Sequence, residues 1–296
     1  MSPPDLDIET GSVTVGNRTF EYRAEGSGRP CLAIGGSAFW APTFSEGLRE
    51  NLRLIFADTR FLGPPSEPEE VQSVTLESLL AEVDAVREAA GIERGIALGH
   101  SALGLVALEY AHHYPQHVSH VVMIGSPPRP LIEFDGPVID FIPEVKAFWD
   151  GDASSERKEL LAITQAELTE ERMATVPPGK TFGVWYVAHR PMVFFDPRYD
   201  ATWMFDPIEF DSPTFNHFLG VILEDYHVGA TLREVTVPVF LALGRYDYLV
   251  PHITWGPLKG AMPGLTCRVF DESGHYPMME EPDRFDRELL EWLDGD

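Results

Sequence analysis

The sequence predicts an α/β fold: a single core of alternating strands and helices, interrupted once by a helical cap. Three observations predict it. Short β-rich runs alternate with stretches of helical periodicity, several of the runs stop at glycine, and the alternation lapses between Pro127 and Arg233 before it resumes. The division that follows is a core of residues 1–127 and 234–296, with residues 128–233 as the inserted cap.

Taken in order, residues 12–15 and 19–22 read as two edge strands, and the turn Gly26-Ser27-Gly28-Arg29-Pro30 leads into a strand at 31–34 that stops at Gly35-Gly36. Residues 52–57 are the next strand. Residues 75–90 carry Leu76, Leu79, Leu80, Val83, Val86 and Ala90 at helical spacing, with Thr75 placed to cap the start and Gly91 the end. A buried strand at 95–98 runs into Gly99-His100-Ser101. Residues 102–114 form a helix that is apolar on most sides and ends before Pro115, and residues 118–124 are a further buried strand. Within the cap, residues 156–168 read as helix. Beyond it come a strand at 237–243, a helix from about Thr254, a strand at 266–270 and a final helix at 283–293.

Composition narrows the function. With 296 residues the chain buries about three quarters of its surface on folding and needs no staples. Its 47 acidic side chains against 22 basic ones leave a net charge of −25, which repels phosphate backbones and anionic lipid, so neither nucleic acid nor membrane is an expected partner. Only Lys146, Lys158, Lys180 and Lys259 supply flexible cations. Two readings of this surplus stand: an acidic protein at ordinary ionic strength, or a chain suited to a salty cytoplasm, where screening relieves self-repulsion. A melting temperature that rises between dilute buffer and molar KCl selects the second; an unchanged one selects the first. No run of eighteen apolar residues and no basic, apolar leader is found, so the expected location is cytoplasmic. Cys31 and Cys267 both sit in strand-like runs and are expected as buried, inert and unlinked thiols, because two isolated cysteines form neither a metal knuckle nor a redox pair.

The strongest chemical signal is Gly99-His100-Ser101-Ala102-Leu103-Gly104. A serine at a sharp strand-to-helix turn is held in a strained conformation that projects its hydroxyl above the sheet. Asp247 follows the strand at 237–243, and His275 follows the last strand in Ser273-Gly274-His275-Tyr276-Pro277. All three sit at carboxyl ends of strands, where open α/β sheets place their ligands. His112, His113 and His117 do not suggest a metal site, since adjacent histidines on a helix point apart. No dinucleotide or phosphate-binding loop is found, and no cofactor or metal is expected.

These residues resemble the α/β-hydrolase family over nearly the whole chain. The resemblance implies a mostly parallel eight-stranded sheet flanked by helices and capped by an insertion, with Ser101 as nucleophile, Asp247 as the triad acid and His275 as the triad base. It also implies an oxyanion hole from the backbone N–H groups of Ala102 and Gly36. Asp58-Thr59-Arg60 followed by Gly63 and Ser66 is similar to a segment of the proline iminopeptidase-like branch, with Phe61 in place of its first glycine. Leu108-Glu109-Tyr110-Ala111 and Gly125-Ser126-Pro127-Pro128 fit the same branch. The chain departs from the family in Leu103, where a glycine is usual, and in Ile34-Gly35-Gly36-Ser37-Ala38, where that branch carries H-G-G-P-G.

What the resemblance implies is acyl transfer on a small-molecule or short-peptide substrate, by an aminopeptidase or an esterase. A ligand-binding protein that has kept the fold is the alternative of another class. In the cap, Trp185 and Trp203 are candidates for contact with an apolar substrate, and Glu224 and Asp225 for contact with a substrate ammonium.

Overall fold

The computed structural model describes residues 8–135, 138–258 and 263–295. Its sheet has eight strands: β1 (Glu9–Val15), β2 (Arg18–Glu25), β3 (Arg29–Ile34), β4 (Leu52–Ala57), β5 (Gly95–His100), β6 (Val118–Ile124), β9 (Val239–Gly244) and β10 (Leu265–Phe270). They lie in the order β1-β2-β4-β3-β5-β6-β9-β10. β2 runs antiparallel to both β1 and β4, and all other pairs are parallel. Of the two expected edge strands only β1 is one; β2 lies between β1 and β4.

The central strands are buried on both faces, as parallel strands covered by helices must be. The two-residue period divides them cleanly. Leu32, Ile34, Ala97, Val121, Met123, Leu241 and Leu243 join one core cluster, with α1 (Leu76–Ala89) and α2 (Ala102–His113). Cys31, Ala33, Leu98, Val122, Ile124, Phe240 and Ala242 join the other, with α5 (Pro282–Gly295). Both helix starts are local chemistry. Thr75 accepts from the Ser78 N–H in a capping box, and α2 begins at the turn where β5 ends. Cys31 is buried as expected, whereas Cys267 is only half-buried because β10 is the edge strand, and no disulfide joins the two.

Two expectations needed correction. The helix from about Thr254 is a single 3₁₀ turn, His252–Trp255, because Gly256-Pro257 cannot continue it; residues 259–262 lie outside the described set. The insertion between β6 and β9 is not purely helical, since it opens with the hairpin β7 (Ile132–Asp135) and β8 (Val138–Phe141). Its signal was present as alternating Ile132-Glu133-Phe134-Asp135 followed by Gly136-Pro137. The insertion then continues through short helices, including α3 (Ser155–Gln165) and α4 (Thr181–Ala188).

Candidate active site

Ser101 has φ +52° and ψ −133°, and it is the only non-glycine with positive φ among the described residues. Such a conformation costs about 1–3 kcal/mol and persists only where the surroundings impose it. Here its N–H donates to the Ile124 carbonyl at 2.7 Å, tying the turn to β6. The departure at Leu103 is resolved one residue later. Gly104 makes the close approach, since a methyl there would fall 1.9 Å from Ser126 Oγ. Leu103 itself is half-buried and packs against the core, where Thr59, Phe61 and Val106 line the same small void.

Asp247 is fully buried at the end of β9. Its Oδ1 accepts from the N–H groups of Leu249 (3.0 Å) and Val250 (2.8 Å), while Oδ2 lies 2.6 Å from His275 Nδ1. With the carboxylate so occupied, Nδ1 is the nitrogen that carries the proton, and Nε2 is left as the acceptor. Gly125 supports the imidazole from behind. It sits at φ +56°, and a methyl there would fall 2.9 Å from His275 Nδ1. Ser101 and His275 line the same cavity.

Three neighbours of the histidine were not singled out by the sequence. His100 Nε2 bonds the His275 carbonyl at 2.8 Å, and its ring stacks on Tyr276. Burial, with His275 alongside, holds the His100 pKa well below 6.5, so it is a neutral spacer. Tyr276 donates from its hydroxyl to that of Tyr186 in α4 at 3.0 Å. Glu280 accepts from the N–H groups of Phe195 (2.6 Å), Gly274 (2.9 Å) and Tyr276 (3.3 Å), and so grips both sides of His275.

Burial pushes the Glu280 carboxyl up from 4.5 to about 7, against the pull of those three donors. An acid whose pKa is raised on folding binds more protons folded than unfolded between the two values, so its contribution weakens the fold as pH rises through that window. The melting temperature of the native chain should therefore fall relative to that of Glu280→Gln between pH 4.5 and about 7. Parallel profiles for the two proteins would contradict this.

The expected oxyanion donors stand past the carboxyl ends of the paired strands β5 and β3. Ala102 is the first residue of α2, where N–H groups have no intrahelical acceptor. Gly36 stands one residue past the last ladder bond of β3, from the Gly35 N–H to the Ala57 carbonyl at 3.0 Å.

Two cavity arms meet at Ser101, Ala102 and His275, divided by Phe182, Tyr186 and Phe215 from the insertion. The larger, about 320 Å³, is walled by Leu105, Leu131, Trp185, Leu219 and Leu249 among others. The smaller, about 80 Å³, lies against Gly35, Phe39, Trp40 and Leu62. Among the described residues neither arm is lined by an aspartate, glutamate, lysine or arginine.

Of the four substrate-contact candidates, Trp185 lines the larger arm and three do not. Trp203 is 40% exposed and donates from Nε1 to the Tyr199 hydroxyl, because its helix turns Met204 and Phe205 inward instead. Glu224 and Asp225 follow Leu223, which is buried against the core, and both face solvent. The segment after β4 is structural as well. Gly63 donates to the Glu209 carbonyl and Ser66 to the buried Asp211, so the insertion is tied to the core there, while Arg60 pairs with Glu82 within the core. His113 and His117 each set Nδ1 against a main-chain carbonyl, of Glu109 and Glu93. Among the described residues no helix is long and apolar enough to cross a membrane.

Comparison with known proteins agrees with this architecture. The chain is 29% identical over 274 residues to the AB hydrolase superfamily protein YclE of Bacillus subtilis, covering 92% of this chain and 94% of that one. It is 24% identical over 289 residues to a proline iminopeptidase of Saccharolobus solfataricus, covering 92% and 87%, so the branch suggested by the 58–66 segment is a distant relation. An esterase structure from Thermogutta terrifontis superposes with a TM-score of 0.65 at 18% identity, over 97% of this chain and 98% of the other. The family described as alpha/beta hydrolase fold matches residues 33–282, and the chain belongs to that family.

Proposed function

We propose that this protein is a carboxylic ester hydrolase that acts through an acyl-enzyme on Ser101 and prefers uncharged, apolar esters. His275 Nε2 takes the proton from Ser101 as Oγ attacks the ester carbonyl, and the N–H groups of Gly36 and Ala102 hold the oxyanion. His275 then gives that proton to the departing alcohol. Water, activated by the same imidazole, releases the acid and restores the serine. Asp247 keeps its charge throughout and holds the ring in the tautomer that the first step needs. The insertion serves as a cap that excludes bulk water and shapes the two arms.

The observation that carries this reading over the aminopeptidase one is that, among the described residues, no acidic or basic side chain other than histidine lines either arm. An N-terminal amine is a cation, and burying it beside leucine, phenylalanine and tryptophan without a carboxylate partner costs several kcal/mol. Glu224 and Asp225 are too exposed to supply that partner. A protein that only binds ligands would have no use for a strained serine beside a histidine–carboxylate pair.

The test is turnover of p-nitrophenyl butyrate beside proline p-nitroanilide. The expected kcat/KM for the ester is at least about 10²-fold the larger, in line with ~3 kcal/mol for an unpaired buried charge. Preference for the anilide would overturn the reading.

A further inference from the structure

We propose that Arg157, in the cap helix α3, is a positioning residue for the Asp247–His275 pair, acting through segment 191–195, which is the end of the short helix Arg190–Val193 and the two residues after it. The proposal rests on the catalytic reading above but draws on separate contacts.

Segment 191–195 lies between the two catalytic loops and bonds to both. Its Met192 carbonyl accepts from the N–H of Tyr248, which follows Asp247, at 2.9 Å. Its Val193 carbonyl accepts from the N–H of His275 at 2.6 Å. Its Phe195 N–H donates to Glu280, whose other oxygen accepts from Gly274 and Tyr276 on either side of His275. One short stretch of cap backbone thus sets the spacing of the loop that carries the carboxylate and the loop that carries the imidazole.

Arg157 holds the remaining carbonyls of that stretch. Its Nη1 donates to Pro191 at 2.7 Å and to Phe194 at 2.8 Å, and its Nη2 donates to Phe195. Its guanidinium carbon also lies 5.4 Å from the ring centre of Tyr246 and 5.5 Å from that of Tyr248, the two residues flanking Asp247. The residue is buried, and burial lowers its pKa, so a cation is kept here against a desolvation cost. Its planar fork fits this duty: several donors in one plane satisfy the carbonyls while both faces remain free to stack on the tyrosines. Arg157 lines neither cavity arm, so it has no contact through which to bind substrate. It acts by keeping His275 Nδ1 within reach of Asp247.

The test uses the full chain with Arg157→Met and Arg157→Lys. The first readout needs no turnover: the far-downfield proton resonance of His275 Nδ1–H, assigned by its loss in Asp247→Asn. It should be sharp in the native chain, lost or moved upfield in Arg157→Met, and intermediate in Arg157→Lys, which restores the charge but not the planar fork. The second readout is kcat on p-nitrophenyl butyrate per folded molecule, which should fall about 10–100-fold in Arg157→Met through misplacement of the base, with KM changed less than about two-fold.

A folded Arg157→Met with an unchanged resonance and unchanged kcat would overturn the proposal, and so would a rise in KM alone. If Arg157→Met does not fold, Arg157→Lys decides by the same criteria. A native chain that turns over no ester refutes the esterase reading, and the resonance still judges this one.

Discussion

Replacing Ser101 by alanine is expected to lower kcat on p-nitrophenyl butyrate by about 10⁴–10⁶-fold while leaving the fold intact. The side chain makes no cap bond and its backbone is held by the N–H bond to Ile124, so removing one oxygen disturbs little else. The strain at φ +52° stays, because alanine is no better suited to that region than serine. Fluorophosphonate labelling of the native chain, its absence in the variant and matched melting temperatures are the checks. A variant within ten-fold of native turnover would show that another group is the nucleophile.

Asp247→Asn is expected to cost about 10⁴-fold in kcat, again with the fold retained. The geometry supplies the reason. Oδ1 already accepts from Leu249 and Val250, so an asparagine must keep its oxygen there and turn its NH₂ toward His275 Nδ1. That amide donates and cannot accept, so the imidazole must place its proton on Nε2, where it can no longer take the proton from Ser101. A pH–rate profile and the downfield proton spectrum distinguish a wrong tautomer from a displaced ring. Turnover close to native would mean that His275 does not depend on this carboxylate for its orientation.

How far the site could be read in advance differed residue by residue. The 3.6-residue stripe of α1, its Thr75 cap and its Gly91 stop are rules that act within a few residues, and the structure follows them. Ser101 and the chain order in which Asp247 and His275 follow it were legible for the same reason, since each stands next to a strand that announces itself by composition. The charged-residue prediction failed at Glu224 and Asp225. In a chain with 47 carboxylates, facing a pocket is a property of the tertiary arrangement, and no local pattern marks it. Trp203 failed likewise, because helical neighbours of similar hydrophobicity compete for one inward face, and Met204 and Phe205 took it.

By itself, then, the sequence determined the α/β alternation, the strand ends at which Ser101, Asp247 and His275 stand, and the interruption between β6 and β9. These follow from periodicity, capping and turn chemistry, whose range is a single element. Only the tertiary structure decided that both cavity arms are lined, among the described residues, without aspartate, glutamate, lysine or arginine, that Glu280 grips the backbone around His275, and that Arg157 bonds the segment joining the Asp247 and His275 loops. Arg157 lies 34 residues from Pro191 and farther still from Asp247. Contacts across such separations arise when packed elements bring their buried donors and acceptors together, and the need to satisfy those groups selects the partners.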